Sequence, residues 1–361
     1  MAVIFFIPLA GILILVGVML FWNSGKRIPF VDEDGKTLVG SLSEKIFVDI
    51  NRVKQGMFIT SKDASHPVLL HLHGGLPEYF LTRRYPTGIE DYFTVVWWEQ
   101  RGAGISYSAN IAPESMTLEQ LISDTLELTK YLRNHFHQEK IYLMGHCGGS
   151  FIAIHAAAQA PGMYHAYIGM AQMANQLESE KQAYEYMLLQ FRENGNSTMV
   201  RKLEAAPVTL TNGIPRAYLA LRDQAMHSLG IGTTHDMKSV ITGIFLPSIT
   251  SPEYTLMEKV KTWRAKSRHG VSFLWDRMLT TDLAREIPEL DLPVYFFHGR
   301  YDYTCAYAVT KSYFEQLKAP IKGFYTFDQS AHSPIFEEPE KAQMIILRNV
   351  LTGANSLADI K

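Results

Sequence analysis

The chain has 361 residues and 47% of them are hydrophobic, so it can bury a large core in one large domain or two smaller ones. Its formal net charge of −2 excludes the strongly basic field that is typical of nucleic-acid binding. Only two cysteines occur, Cys147 and Cys305, which excludes a disulfide framework and fits a reducing compartment.

The first segment, residues 2–22, is apolar at almost every position and is about as long as a bilayer core is thick. A helix in a globular core would carry polar positions on one face. We therefore predict a single uncleaved transmembrane anchor in residues 1–25, with Trp22 at the membrane interface. Lys26 and Arg27 follow, and the positive-inside rule places the catalytic domain in the cytoplasm. A cleaved signal peptide of a secreted protein is the alternative.

Short β-rich runs come next along the chain. Residues 45–50 and 56–60 predict a pair of strands joined by a turn. Apolar runs bounded by loop residues, at 67–73 and 93–98, predict two buried strands. The apolar spacing across 116–136 then predicts an amphipathic helix.

An alternation of strand and helix follows. Thr117 is the predicted N-cap of the first helix, with Gln120 three residues later in a capping-box arrangement. A strand at 141–144 leads into the Gly-rich turn 145–150 and a helix of small residues, and another strand follows at 166–170. This order predicts a mostly parallel sheet with helices on both faces.

The pattern changes after this first half. Residues 173–287 show helical spacing, frequent methionines and almost no strand signal, which predicts an inserted helical cap. Strand patterns return at 293–298 and 321–327, and a last helix begins near Pro339. The chain therefore divides into an N-terminal hydrophobic segment, a first half of the core, a cap and a second half of the core, at residues 1–25, 26–172, 173–287 and 288–361.

The strongest chemical signal is the sequence GHCGG at residues 145–149, between a predicted strand and a predicted helix. This is the context of a nucleophile elbow, G-x-S-x-G, with Cys147 in place of serine. Glycines are needed on both sides because the turn is strained, and the helix N-terminus favours a thiolate. Ser150 is a weaker candidate nucleophile, since it lies inside the helix and lacks a glycine two residues later.

A second Gly-rich loop, HGGLP at residues 73–77, follows a predicted strand. Such a loop can direct a backbone N–H at a developing oxyanion. We predict that the N–H groups of Gly75 and Gly148 form the oxyanion hole. Leu76 and His146, which adjoin these loops, are candidate pocket residues.

The remaining catalytic candidates are Asp302 and His332, each placed just after a predicted strand. The order nucleophile, acid, histidine is the chain order of this kind of triad. Asp302 would hold one tautomer of His332, which would act as the base. Cys305 is interpreted as a small packed side chain. We expect no metal, because metal-ligand spacing is absent around His71, His146, His155 and His235.

These motifs together resemble the proline iminopeptidase-like branch of the α/β-hydrolase superfamily. The matching pieces are HGG at 73–75, WWEQRGAGISYS at 97–108, GHCGGS at 145–150, HGRYDYT at 298–304 and SAHSP at 330–334. The resemblance implies an eight-stranded sheet, a helical cap and hydrolysis without a cofactor. The chain departs from it in having Cys147 for serine, HGGLP for HGGPG, and no acidic pair assignable to a substrate's free amine.

The predicted function is hydrolysis of an ester, lactone or thioester through a Cys-His-Asp triad and a thioester acyl-enzyme, with acyl transfer as a variant. The expected partner is a small, hydrophobic acyl compound, with no nucleic acid. One alternative, from the resemblance, is a peptide or amide hydrolase. Another is a hydrolase-like binding protein without activity.

Overall fold

Eight strands form one sheet at the centre of the protein. The computed structural model describes residues 24–211, 213–268 and 274–361. In chain order, β1 to β8 cover Leu42–Ile50, Val53–Ser61, Val68–Leu72, Thr94–Glu99, Ile141–His146, Tyr164–Met170, Val294–Gly299 and Lys322–Phe327. Their order in the sheet is β1-β2-β4-β3-β5-β6-β7-β8. The pairs β1–β2 and β2–β4 are antiparallel and every other pair is parallel, so the predicted mostly parallel sheet is confirmed.

Helices cover both faces of this sheet. In chain order, α1 to α12 cover Leu118–His135, Gly148–Gln159, Gln176–Glu193, Ser197–Glu204, Arg216–Ser228, Leu246–Thr250, Leu256–Arg268, Trp275–Thr280, Leu283–Glu286, Tyr307–Gln316, Pro334–Glu337 and Pro339–Ile345. Apolar side chains of α1, α2 and α10 form one core layer against the sheet. Those of α11, α12 and the segment 79–93 form the layer on the other face. Helices on both faces bury the parallel strands, as such strands require.

Local sequence signals account for the first elements. Asn51 and Arg52 form the turn between β1 and β2 with φ of 45° and 64°, as a two-residue hairpin turn requires. The Thr117 hydroxyl accepts a hydrogen bond from the Gln120 backbone N–H at 3.2 Å, so the predicted N-cap is present. The Gln120 side chain donates to Asp124 instead of returning to the cap.

Between β6 and β7 the described residues form helices and add no strand to the central sheet. Helices α3, α4 and α5 share a separate apolar cluster that includes Met187, Leu203 and Met226. This cluster also packs against Tyr301 and Tyr303, in the loop after β7. The helical segment therefore has a small core of its own, which lies next to the loops at one edge of the sheet.

The prediction of a membrane anchor is wrong. Across the described ranges no helix is long and apolar enough to cross a bilayer, and the predicted span, residues 2–22, lies outside them. That prediction rested on the apolar composition and the length of the run, and on no structural observation. Gly25, which follows the apolar run, is bound to the helical segment, because its backbone N–H donates to the Pro252 carbonyl at 3.1 Å. The membrane tether and the localisation inferred from it are withdrawn.

Candidate active site

Cys147 occupies the sharp turn between β5 and α2. Its backbone has φ of 53° and ψ of −125°, a strained conformation for a residue that is not glycine. The flanking glycines allow this turn. A methyl group on Gly149 would lie 2.3 Å from the Leu72 carbonyl oxygen, and one on Gly145 would lie 2.5 Å from the Ser150 Cα. The GHCGG sequence therefore packs α2 directly against β3 and presents Cys147, half-buried, at the sheet edge.

Asp302 and His332 meet at the same edge, since the parallel strands β5, β7 and β8 all end there. His332 Nδ1 donates to Asp302 Oδ2 at 2.9 Å, and both residues are buried. Asp302 Oδ1 accepts from the backbone N–H groups of Thr304 and Cys305. Burial opposes ionisation of Asp302, but the His332 charge and these hydrogen bonds hold its pKa below the usual value. The carboxylate is thus fixed, and it fixes the ring of His332.

The sulfurs of Cys147 and Cys305 and one ring nitrogen of His332 lie within 4.8 Å of one another. Since Nδ1 of His332 donates to Asp302, the nitrogen facing the sulfurs is Nε2, and it is buried without a hydrogen-bond partner among the described residues. A hydrogen bond from Cys305, opposed by burial and assisted by His332, holds the pKa of Cys147 well below its usual value. Burial raises the pKa of Cys305. These opposite shifts in pKa favour the thiolate form at Cys147 rather than at Cys305.

Glu78 and His146 form a buried network that the sequence did not predict. The Glu78 carboxylate lies 2.6 Å from His146 Nδ1 and 2.9 Å from His71 Nε2, while His146 Nε2 lies 2.7 Å from the His332 carbonyl oxygen. A carboxylate and a carbonyl can only accept, so both nitrogens of His146 must donate and the ring is an imidazolium. Burial disfavours that charge, but Glu78 raises the pKa of His146. The residue next to Cys147 thus carries a fixed positive charge.

A further carboxylate, the half-buried Glu337, holds the loop that carries His332. It accepts hydrogen bonds from the backbone N–H groups of Ala331, Ser333 and His235 at 2.6–3.2 Å. Burial raises the pKa of Glu337 to about 7, although these three N–H groups favour its ionised form. Its position five residues after His332 is the only sequence signal, and that spacing has no recognised motif.

The Gly-rich loop after β3 lies against the candidate nucleophile. A methyl group on Gly74 would come within 2.8 Å of the Cys147 Cβ, so Gly74 is the closer glycine of this loop. Gly75, the predicted oxyanion donor, lines the cavity beside Cys147 and has open space where a Cβ would be. Gly148, the other predicted donor, is the first residue of α2, where backbone N–H groups lack helical partners. Both positions stay predictions as oxyanion donors.

Ser150, the alternative nucleophile, points elsewhere. Its buried hydroxyl donates to the Cys147 carbonyl at 2.5 Å and accepts from the Met173 backbone N–H at 3.0 Å. It is absent from the walls of the cavity that reaches Cys147. The hydroxyl stabilises the elbow from within the core.

A cavity of about 260 Å³ leads to Cys147 and His332. The predicted pocket residues Leu76 and His146 both line it. Its apolar wall is formed by Leu76, Pro77, Phe80, Leu81, Met226, Val240, Ile244 and Phe336. Charged side chains also reach it, namely Glu78, Arg222, Asp223 and Lys266. The cavity wall therefore combines apolar and charged side chains. A separate groove of about 520 Å³ beside Arg83 and Leu246 contains none of the catalytic candidates.

The charged side chains in this wall partly neutralise one another. The Arg222 guanidinium donates to the buried Glu180 at 2.7 Å and to Asp223 at 3.3 Å. Glu180 and Asp223 together carry one negative charge more than Arg222 does. Asp223 is largely exposed, with 63% side-chain accessibility, so it is the carboxylate available to a ligand.

Comparison with known proteins places this site in context. The sequence profile of the family described as alpha/beta hydrolase fold matches residues 67–339. A relative in Bacillus subtilis strain 168, named probable aminopeptidase YbaC, is 32% identical over 299 residues, which are 81% of this chain and 91% of the relative. The family match includes the loops that carry Cys147, Asp302 and His332.

Two solved structures share the fold at low identity. A proline iminopeptidase from Mycobacterium smegmatis is 13% identical with a TM-score of 0.62, and the match covers 86% of this chain and 98% of that one. A proline iminopeptidase-related protein from Thermus thermophilus is 17% identical with a TM-score of 0.57, over the same shares of the two chains. Identities this low support the fold alone.

Proposed function

Because the chain belongs to the α/β-hydrolase fold family and is an enzyme of that family, we propose that it cleaves acyl bonds with Cys147 as nucleophile. His332 is the proposed base and Asp302 the carboxylate that orients it. The observation that carries the proposal is the position of Cys147, in a strained elbow with its sulfur within 4.8 Å of the free nitrogen of His332. Membership of the family argues against a binding protein without activity.

The proposed reaction has two steps. The Cys147 thiolate attacks the substrate carbonyl, and the C–S bond forms as the carbonyl oxygen takes the negative charge. The N–H groups of Gly75 and Gly148 are the proposed donors to this oxyanion. His332 then protonates the leaving group, which departs and leaves a thioester. Water gives a proton to His332, its oxygen attacks the thioester, and the acid is released with the Cys147 thiolate restored.

The helical segment 173–287 is proposed as the cap that selects the substrate, between core halves at 26–172 and 288–361. Met226, Val240 and Ile244 of this segment contribute to the apolar wall beside Cys147. That wall favours an acyl group with an apolar chain. Esters and thioesters are the first substrate class, because a thiolate leaves a tetrahedral intermediate more readily than an amine does.

An aminopeptidase is the second candidate function. It is favoured by the name of the Bacillus subtilis relative and by Asp223, a carboxylate at the cavity that could pair with a substrate's free amine. Asp223→Asn would then raise the KM for an aminoacyl anilide and leave the KM for its N-acetylated form unchanged. Glu185→Gln, an exposed carboxylate of α3 outside the cavity, is the control. Equal KM values for Asp223→Asn and wild type would remove this support for the second candidate.

The main test combines covalent labelling with turnover. A reactive acyl probe should label the wild type at Cys147, and the protein should hydrolyse part of a panel of aryl esters, lactones, acyl thioesters and aminoacyl anilides. Cys147→Ala should lose the label and at least about 1,000-fold in turnover. Cys147→Ser should retain or gain activity on esters, because the elbow resembles one built for serine.

Ser150→Ala is the matched control, since it removes the other candidate nucleophile from the same helix. This variant should still be labelled at Cys147. Labelling that moves to Ser150, or wild-type turnover in Cys147→Ala, would show that the nucleophile is misassigned.

A further inference from the structure

Cys305 is a buried thiol that the proposed reaction does not use. It is 158 positions from Cys147 in the chain, yet the two sulfurs lie within 4.8 Å of each other and of His332. Its backbone N–H donates to Asp302, its thiol donates to the Cys147 sulfur, and its own sulfur lies 4.0 Å from Gln176 Oε1. The sequence interpretation of Cys305 as a small packed side chain does not account for this position beside two reactive groups.

We propose that Cys147, Cys305 and His332 Nε2 form a binding site for a soft divalent cation, Zn²⁺, which blocks the nucleophile reversibly. Two thiolates and one imidazole are a ligand set that zinc takes in proteins, with the fourth position left to water. This site does not depend on Cys147 acting as a nucleophile. It was hidden from the sequence because its ligands have no metal-ligand spacing.

The free nitrogen of His332 is the second observation that points to a ligand. His332 is 7% exposed, and its Nε2 has no hydrogen-bond partner within the described part of the chain. Its Nδ1 donates to Asp302 at 2.9 Å, so Nε2 is the nitrogen that a metal ion would bind after displacing the proton there. Zinc-bound histidines in proteins commonly donate their other nitrogen to a carboxylate in this way.

The distances permit the site with a small adjustment. A tetrahedral zinc, with bonds of about 2.3 Å to sulfur and about 2.0 Å to nitrogen, holds its ligand atoms roughly 3.5–3.8 Å apart. The present separations reach no more than 4.8 Å. The ligand atoms therefore have to approach one another by at most about 1.3 Å. The cavity beside Cys147 and His332 leaves the fourth position open to water.

Cobalt provides a readout that is independent of activity. The full-length protein, reduced with a phosphine and freed of metal with a chelator that is then removed, is titrated with Co²⁺ without oxygen. We expect one equivalent to give thiolate-to-cobalt charge-transfer absorption and the visible bands of tetrahedral cobalt, and Zn²⁺ to displace it. Turnover of any substrate should fall in step with zinc occupancy and return with chelator.

Cys305→Ala should remove the charge-transfer absorption and weaken zinc binding by more than about 100-fold. Loss of a residue that only hydrogen-bonds to a metal ligand weakens binding by about 10- to 100-fold, so a larger effect indicates that a ligand itself is lost. Its circular dichroism reports whether it folds, and Cys305→Ser is the second variant, because a hydroxyl is a poor zinc ligand. His227→Gln is the matched control, a cavity histidine outside the cluster, and should bind zinc as wild type does.

Three results would each overturn the proposal. The first is the absence of cobalt absorption in the folded wild type, and the second is a zinc affinity in both Cys305 variants equal to that of the wild type. The third is a protein mass lower by two hydrogens than that of the reduced chain, which would show a Cys147–Cys305 disulfide in place of metal binding. Failure here with intact acyl labelling at Cys147 would leave the proposed function standing. Metal binding without acyl labelling would leave the metal site standing and would contradict the proposed function.

Discussion

Glu78→Gln tests the buried charge pair that flanks Cys147. Glu78 is 8% exposed and accepts hydrogen bonds from both His71 and His146. The other ring nitrogen of His146, Nε2, lies 2.7 Å from the His332 carbonyl oxygen. The glutamine keeps the shape but removes the negative charge, so the His146 imidazolium loses its counter-charge. Removing one partner of a buried ion pair costs about 3–5 kcal/mol, and a hydrogen bond to a charged group is worth about 1.5–3 kcal/mol. Since the amide can keep one hydrogen bond, we expect a loss of about 2–4 kcal/mol.

The same change should slow turnover. Without its counter-charge His146 becomes neutral, and its hydrogen bond to the His332 carbonyl is weaker than one from an imidazolium, so the loop that carries the base is held less firmly. We expect kcat to fall roughly 10-fold, because small displacements of a catalytic group cost rates of that order or more. Urea unfolding followed by circular dichroism gives the stability, and ester or thioester turnover gives kcat. Glu90→Gln, at a half-buried glutamate outside the site, is the control. Two results together would refute this reasoning: an unchanged kcat, and a free energy of unfolding for Glu78→Gln within about 0.5 kcal/mol of the wild-type value. That difference is smaller than the roughly 1 kcal/mol that a single hydrogen bond contributes.

Three further variants test other parts of the structure. Gly149→Ala should destabilise the protein by at least about 1–3 kcal/mol, since its methyl group would meet the Leu72 carbonyl; unchanged urea unfolding would contradict this. Glu337→Gln should lose about 1–2 kcal/mol and lower kcat, as one of its N–H partners is left unpaired; wild-type kcat would contradict it. Burial raises the pKa of Glu99 to about 7, so the folded state binds this proton more tightly and stability falls as pH rises from about 4.5 through 7. Glu99→Gln should flatten that decline in urea unfolding between about pH 5 and 8, and an unchanged slope would argue against it.

The sequence determined the sheet and the location of the candidate site. A strand is recognised from a short run of residues that is alternating or wholly apolar, and such a run is a local feature of the sequence. All eight strands were therefore predicted within a few residues. The elbow at Cys147 was equally readable, because a glycine two positions before and two positions after the nucleophile is a local sequence pattern, although the Leu72 carbonyl that excludes a side chain at Gly149 belongs to another strand. Asp302 and His332 followed from chain order, since parallel strands bring their carboxyl ends to one edge. The apolar run at 2–22 misled because composition alone was taken for a membrane span.

Only the tertiary structure decided which side chains surround those residues. Glu78 reaches His146 across 68 positions, and Cys305 reaches Cys147 across 158, and neither spacing is a pattern that a local period can reveal. The cavity joins the Gly-rich loops to Arg222 and Asp223 of a helix from the cap segment, so its charge was invisible until that helix was docked. Strands, helices and tight turns depend on neighbours a few residues away in the chain, so the sequence predicts them. The charge, hydration and metal affinity of a site depend on groups that only folding brings within a few ångströms of one another.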